Sequence, residues 1–209
     1  MRVEIATRIE VKQSTNLWID WSQIAVIEVA AARAAHAQAL ASVIRGDGFV
    51  PGERQHALVA VVAAAFALDA FYGATEAVCK VPSSTLERWA ANKSGRAVRI
   101  FGTLHRGFKF DNRRAKGWRK ETGWLFTLRN RAAHHDPELL PSVYRPEFKS
   151  GFSTDDATYT AKAAERAAAF ALDVIETCLR NPRSATREWA ETRTHVADQF
   201  TALRAQVTP

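Results

Sequence analysis

The stretch ERQHALVAVVAAAFALDAFYGATEAVC, residues 53–79, decides the fold. From Ala57 to Leu68 every position is apolar, so it shows neither the alternation of a half-buried strand nor a polar face. A helix that is hydrophobic almost all round has to be enclosed by other elements, which makes this segment the central helix of a bundle. The apolar run ends at Asp69 after twelve residues, short of the roughly 20 that cross a bilayer. No membrane partner is expected from it.

Reading outward, Gly46-Asp47-Gly48 and Pro51-Gly52 separate this helix from an earlier one over about Asp20 to Arg45, whose apolar side is read as Ile24, Ile27, Ala31, Ala34, Ala35 and Leu40. Pro82 ends the central helix. Ser83 or Ser84 then caps a short helix through about Ala91, with Glu87 in the capping-box position. A basic segment, part loop and part helix, leads to a helix from Trp118 to His134, on which Trp124, Leu125, Leu128 and Ala132 recur at helical spacing. Pro137 stops it, because the residue before a proline avoids the helical region.

A loop rich in Pro, Gly and Ser, about residues 137–153, precedes a helix from Thr154 or Asp155 to Arg180, with Ala163, Ala167, Phe170, Val174 and Leu179 inward. After Asn181-Pro182 comes a last amphipathic helix, about Ser184 to Gln206, with Trp189, Val196, Phe200 and Leu203 on one side. At the other end Val3, Ile5, Ile9 and Val11 alternate with polar or small neighbours, the pattern of a short strand. The expected protein is all-α and single-domain: an N-terminal extension over 1–19, a helical bundle over 20–180 and a C-terminal helix over 181–209.

Composition agrees with that class. Of 209 residues 47% are hydrophobic, alanine dominates the apolar stretches, and glycine and proline are sparse. Cys79 and Cys178 have no metal-type neighbours and read as small buried hydrophobes. His36, His56, His105 and His195 are scattered without metal-ligand spacing. No metal and no cofactor is expected. The N-terminus lacks the basic and apolar regions of a signal peptide, so a cytoplasmic location is the expectation.

The net charge of +7 is concentrated. Lys93 to Lys120 holds ten Lys or Arg against the single acid Asp111, leaving the rest of the chain at −2. A local positive surface attracts phosphate backbones by releasing their counterions. Arg106, Lys109, Arg113, Arg114, Lys116, Arg119 and Lys120 are the candidate RNA-binding residues. Phe101, Phe108, Phe110 and Trp118 are interleaved with them, a mixture suited to stacking unpaired bases.

The stretch Arg129-Asn130-Arg131-Ala132-Ala133-His134-His135-Asp136 puts a permanent cation and an imidazole at a helix end. Cleaving RNA without metal needs a base for the 2′-hydroxyl proton, a cation for the charged phosphorane and an acid for the leaving oxygen. Arg129 fits the cation, since its planar fork holds two phosphate oxygens. His134 fits proton transfer. Five residues apart on a helix is about 140° of rotation, so Arg129 and His134 are not in line, whereas Asn130 and His134 at i, i+4 are, and Asn130 could orient the imidazole. Asp69, a carboxylate in an otherwise apolar helix, needs a partner, and Arg129 is a candidate.

The spacing Arg-Asn-x3-His resembles the signature of the HEPN superfamily, and Ala65-Phe66-Ala67-Leu68-Asp69-Ala70-Phe71 resembles the alanine-rich helix with a central acid that often precedes it. The resemblance covers roughly residues 20 to 180. It implies a helical-bundle ribonuclease of the kind found in toxin–antitoxin and phage-defence systems. It further implies a homodimer in which two motifs converge, RNA as substrate, and an antitoxin or other regulatory protein as a further partner. Arg129, His134, Asn130, Asp69 and His135 are then the catalytic candidates, His135 because the family spacing runs from four to six residues. One position departs from a toxin branch: the tyrosine two residues after the histidine is Asp136 here, with Tyr144 nearby in the loop. Two other readings stand beside it, namely a non-catalytic module that uses the basic segment to bind RNA or an acidic protein, and a structural partner whose terminal helices hold another protein.

Overall fold

The computed structural model describes residues 16–45, 52–134, 141–183 and 186–207. Among them the chain is all-α, with one small hairpin. The order is α1 (Leu17–Arg45), α2 (Glu53–Cys79), α3 (Ser83–Ala91), α4 (Arg96–Phe108), α5 (Asn112–Ala133), β1 (Val143–Arg145), β2 (Ser150–Phe152), α6 (Thr154–Thr158), α7 (Ala161–Arg180), α8 (Arg187–Glu191) and α9 (Thr194–Val207). The expected strand over residues 3–11 and the stop at Pro137 lie outside the described residues.

The second helix is central, packed against α1, α4, α5 and α7. Ala57, Ala60, Ala64 and Ala67 are fully buried on it, and side chains that small let neighbouring helices approach closely. Larger groups fill the rest of the core. Trp18 of α1 meets Phe71 edge-on and lies tilted against Phe200 of α9, each at 5.3 Å between ring centroids. The C-terminal helix and the first turn of α1 therefore share one core with the bundle. Cys79 and Cys178 are free and buried.

By length and composition alone α1 and α2 could each cross a membrane, yet 56% of the most apolar part of α2 is buried in the bundle, against 28% for α1. The difference traces to the face α1 presents. Its buried stripe is Trp18, Ser22, Ala25, Val26, Val29 and Ala32, while Ile27, expected inside, is 64% exposed. The expected stripe is displaced by one residue, about 100° of helix rotation. Trp18 sets the true face, and Ser22 fits there because its hydroxyl donates to the Trp18 carbonyl at 2.7 Å.

Other differences are local. The Ser84–Glu87 capping box does not form, because α3 begins at Ser83, after Pro82, whose carbonyl accepts the Thr85 and Leu86 amides. α5 starts six residues earlier than read, at an Asp111 side chain that accepts the Arg114 amide at 2.9 Å. The loop after α5 contains the hairpin, with Tyr144 opposite Gly151. The helix expected from Thr154 to Arg180 is broken at Tyr159, whose buried hydroxyl donates to the Leu128 carbonyl of α5 at 2.9 Å, and Thr160 caps the restart. A second break separates α8 from α9.

Candidate functional site

Three groups of polar side chains stand out against this frame, and each is positioned by a different part of it. The first is the end of α5. Leu125 and Leu128 bury one side of the helix, Tyr159 ties down the Leu128 carbonyl, and Arg131 pairs with Asp155 of α6, Nη2 to Oδ1 2.9 Å. Arg129 faces another way. Its guanidinium lies over the Phe66 ring of α2, 5.3 Å from the centroid, and Nη1 donates to Asn130 Oδ1 at 3.0 Å. Phe66 is backed in turn by Trp21 at 5.0 Å.

Among the described residues Arg129 has no carboxylate partner. A guanidinium steered by a neutral amide and an aromatic face keeps its full charge for an anion. His134 ends the helix with extended backbone, φ −122° and ψ 122°, its N–H donating to the Asn130 and Arg131 carbonyls. The imidazole is exposed, and none of the described residues bonds to it.

Two sequence-based pairings are corrected here. Asn130 orients Arg129 through its amide oxygen, and touches His134 only through the backbone. Asp69 binds Arg96 of α4 rather than Arg129, with Nη2 and Nε 2.6 and 2.7 Å from Oδ1. Asp69 lies one turn beyond Phe66 on α2, so the first turn of α4 is its neighbour while the Phe66 ring fills the space beneath Arg129. Partly exposed and paired, Asp69 is not the costly buried acid it resembled. His135 lies outside the described residues.

The second group is a groove of about 1210 Å³ where the C-terminal end of α2 meets α3, α4 and α5. Six cations line it: Lys80, Arg88, Arg106, Lys109, Arg119 and Arg183, against Asp111 alone among acids. Three of them, Arg106, Lys109 and Arg119, were read from sequence; Arg113, Arg114, Lys116 and Lys120 are exposed on α5 outside the groove. Of the aromatics expected to stack bases, Phe108, Phe110 and Trp118 are buried instead, with Phe110 and Trp118 at 4.5 Å. A helix that carries charge outward turns its aromatics inward, and of these four Phe101 and the edge of the buried Phe110 line the groove.

Trp89 of α3 supplies what the sequence reading missed. Its indole packs against α4, so close that a Cβ on Gly102 would be 2.6 Å from the ring. Gly107 similarly brings α4 against Cys79, where a Cβ would meet the sulfur at 2.2 Å. Burial above all pushes the Cys79 thiol up to about 11, so it stays protonated at neutral pH and is no nucleophile. Lys80 and Lys109 end α2 and α4 in the left-handed region, φ 45° and 46°, which costs a non-glycine residue roughly 1 kcal/mol.

The third group carried no sequence signal. Arg145, in the hairpin, is 7% exposed and Glu53, at the start of α2, is 3% exposed. Arg145 Nη1 donates to Glu53 Oε2 at 2.9 Å, Nη2 to Oε1 at 3.3 Å and Nε to Glu147 at 2.8 Å. Glu53 Oε1 also accepts the Ala161 amide at the start of α7, at 2.8 Å, and sits 3.2 Å from His36 Nδ1. Burial pushes the Glu53 carboxyl up, but hydrogen bonds from Arg145, the Ala161 amide and His36 outweigh it and hold the pKa below the ordinary value. This cluster joins α1, α2, α7 and the hairpin, and lines a cavity of about 680 Å³.

Compared with protein-family models, with curated proteins and with solved structures, the chain gave no match.

Proposed function

We propose that this protein is a metal-independent endoribonuclease of HEPN type, acting as a homodimer in the cytoplasm as a toxin or phage-defence effector under the control of an antitoxin or other regulatory protein. The observation that carries the proposal is the Arg129 guanidinium, held at the end of α5 by Phe66 and Asn130 without a carboxylate among the described residues, beside the exposed imidazole of His134. Other arginines that bridge elements, Arg33, Arg96, Arg131 and Arg166, are paired with carboxylates.

In this reading a 2′-oxygen attacks the adjacent phosphorus as its proton passes to a base. The P–O5′ bond breaks, and the 5′-oxygen leaves with a proton from an acid. The products are a 2′,3′-cyclic phosphate and a 5′-hydroxyl. Arg129 binds the phosphorane oxygens, whose charge grows in the transition state. His134 transfers one proton, and the equivalent residue of a second subunit supplies the other.

The test is incubation of pure protein with single-stranded RNA in the presence of a chelator. Cleavage that disappears in Arg129→Ala and His134→Ala supports the proposal. No cleavage, or cleavage unchanged in both variants, overturns it. The cationic groove favours a second reading, an RNA-binding module that cuts nothing; salt-dependent binding surviving His134→Ala, with no products from wild-type protein, is its signature.

A further inference from the structure

The cationic groove and the end of α5 are separate places. Arg119 lines the groove and Arg129 lies ten residues further along the same helix, about 15 Å at 1.5 Å per residue. Neither Arg129 nor His134 is among the groove's lining residues. A ligand that uses both must be extended. We propose that the groove holds a stretch of single-stranded RNA several nucleotides away from the bond at Arg129, so that it sets a minimum substrate length. The inference rests on the ribonuclease reading for its second anchor, but the groove's own part can be measured without cleavage.

Three observations point to a strand of unpaired nucleotides. The cations come from both walls of the groove: Arg106 and Lys109 from α4, Arg119 from α5, and Arg183 from beyond α7, which reaches across to donate to the Lys109 carbonyl at 3.1 Å. A groove lined by several cations suits a phosphate backbone. The wall between them is aromatic, with Trp89 packed against Gly102 and Phe101 stacked on His105 at 5.6 Å and 8° between planes. Base faces reach such a wall only when unpaired, which selects single strands over duplex. Finally, of the four lysines with left-handed backbone among the described residues, Lys80 and Lys109 line this groove, while Lys93 and Lys149 lie outside it. Strain kept at a groove cation points to a use for its charge there.

At about 3.4 Å per stacked nucleotide, some four or five nucleotides cover the distance between the two places. A strand that keeps its bases stacked therefore needs about six nucleotides to engage both.

The test uses fluorescently labelled 2′-O-methyl oligoribonucleotides of three, six and twelve residues, which cannot be cleaved, and follows binding to the full chain by anisotropy. The twelve-residue strand should bind roughly tenfold more tightly than the three-residue one, with the gap lost in Arg106→Gln/Arg119→Gln and reduced in Trp89→Ala. Lys109→Gly should raise the melting temperature while weakening the long strand several-fold, a combination that no folding defect produces. Unchanged binding of the long strand in the double variant overturns the proposal. So does equal binding of a duplex of the same length, or displacement by ATP at concentrations below those of the unlabelled strand. Failure of catalysis alone looks different: binding keeps its length dependence while unmodified RNA stays intact.

Discussion

Arg129 and Arg145 are the same residue type used in opposite ways. Arg145 is buried, with its fork taken by Glu53 and Glu147 and its plane over Phe148 at 4.6 Å. Arg129 reaches the surface with one neutral hydrogen bond and one ring contact. A saturated guanidinium has no capacity left for a ligand, and an unsaturated one adds little to folding. The contrast separates positions that hold the fold from positions available for chemistry, and it can be broken from either side.

The largest effect should come from Arg145→Met. Removing one member of a buried, hydrogen-bonded pair strands the Glu53 charge and typically costs about 3 to 5 kcal/mol. Urea denaturation should show that loss, whereas Arg129→Met should shift stability by less than about 1 kcal/mol. Comparable losses in the two variants would end the contrast, by making Arg129 a structural residue as well.

If the proposed ribonuclease activity holds, the next effect in size is on cleavage. Arg129→Ala should lower RNA cleavage by roughly a hundredfold or more, with the urea midpoint close to wild type. His134→Ala should act similarly, since its imidazole bonds to none of the described residues and its removal leaves the backbone cap intact. Cleavage kept in Arg129→Ala but lost in Arg106→Gln would move the reacting centre into the groove.

The architecture was legible where one local signal dominated. Residues 53–79 form a single helix with the expected ends, because an apolar run between Gly52 and Pro82 permits little else. The face of α1 was not legible, since Ile24 and Ile27 outscore Ala25 and Ala32 on hydrophobicity while close packing against an alanine-rich α2 prefers the small residues. The site divides the same way. The candidate motif could be noticed because Arg129, Asn130 and His134 stand close together in sequence at the end of one helix. The Arg145 cluster brings together residues 36, 53, 145 and 147 from separate elements, and an acid in a first turn or an arginine before a proline announces nothing by itself. Trp89 was passed over because the groove it lines exists only once α3 folds onto α4.

The buried cluster should also give stability a pH dependence that the exposed arginine does not. Glu53 and Glu147 both have carboxyl pKa values held below the ordinary range; in each case burial raises the value and is outweighed, for Glu147 by a backbone amide and Arg145. Because the folded values are depressed, the unfolded chain takes up protons first as pH falls. The stabilisation is therefore complete above the unfolded carboxylate value, about 4.3, and is lost as pH drops through the lower folded values. Urea midpoints should be flat from neutrality to about pH 5.5 and then fall. Arg145→Met should reduce that slope and Arg129→Met should leave it alone. An unchanged slope in Arg145→Met would assign the acid sensitivity to other carboxylates.

The smallest effect belongs to Asp69, and it is the one that sharpens the comparison most. Were Asp69 the partner of Arg129, neutralising it would disturb the guanidinium and lower cleavage along with Arg129→Ala. Paired as it is with a half-exposed Arg96, Asp69→Asn should change stability by less than about 1 kcal/mol and cleavage by no more than about threefold, since no interaction made only in the transition state is removed. The neighbouring side chain makes the complementary measurement possible. Phe66→Leu keeps the apolar bulk beneath Arg129 but removes the ring face, so cleavage should fall further than in Asp69→Asn, mostly in kcat. A larger loss from Asp69→Asn than from Phe66→Leu would show that charge rather than the aromatic platform steers Arg129.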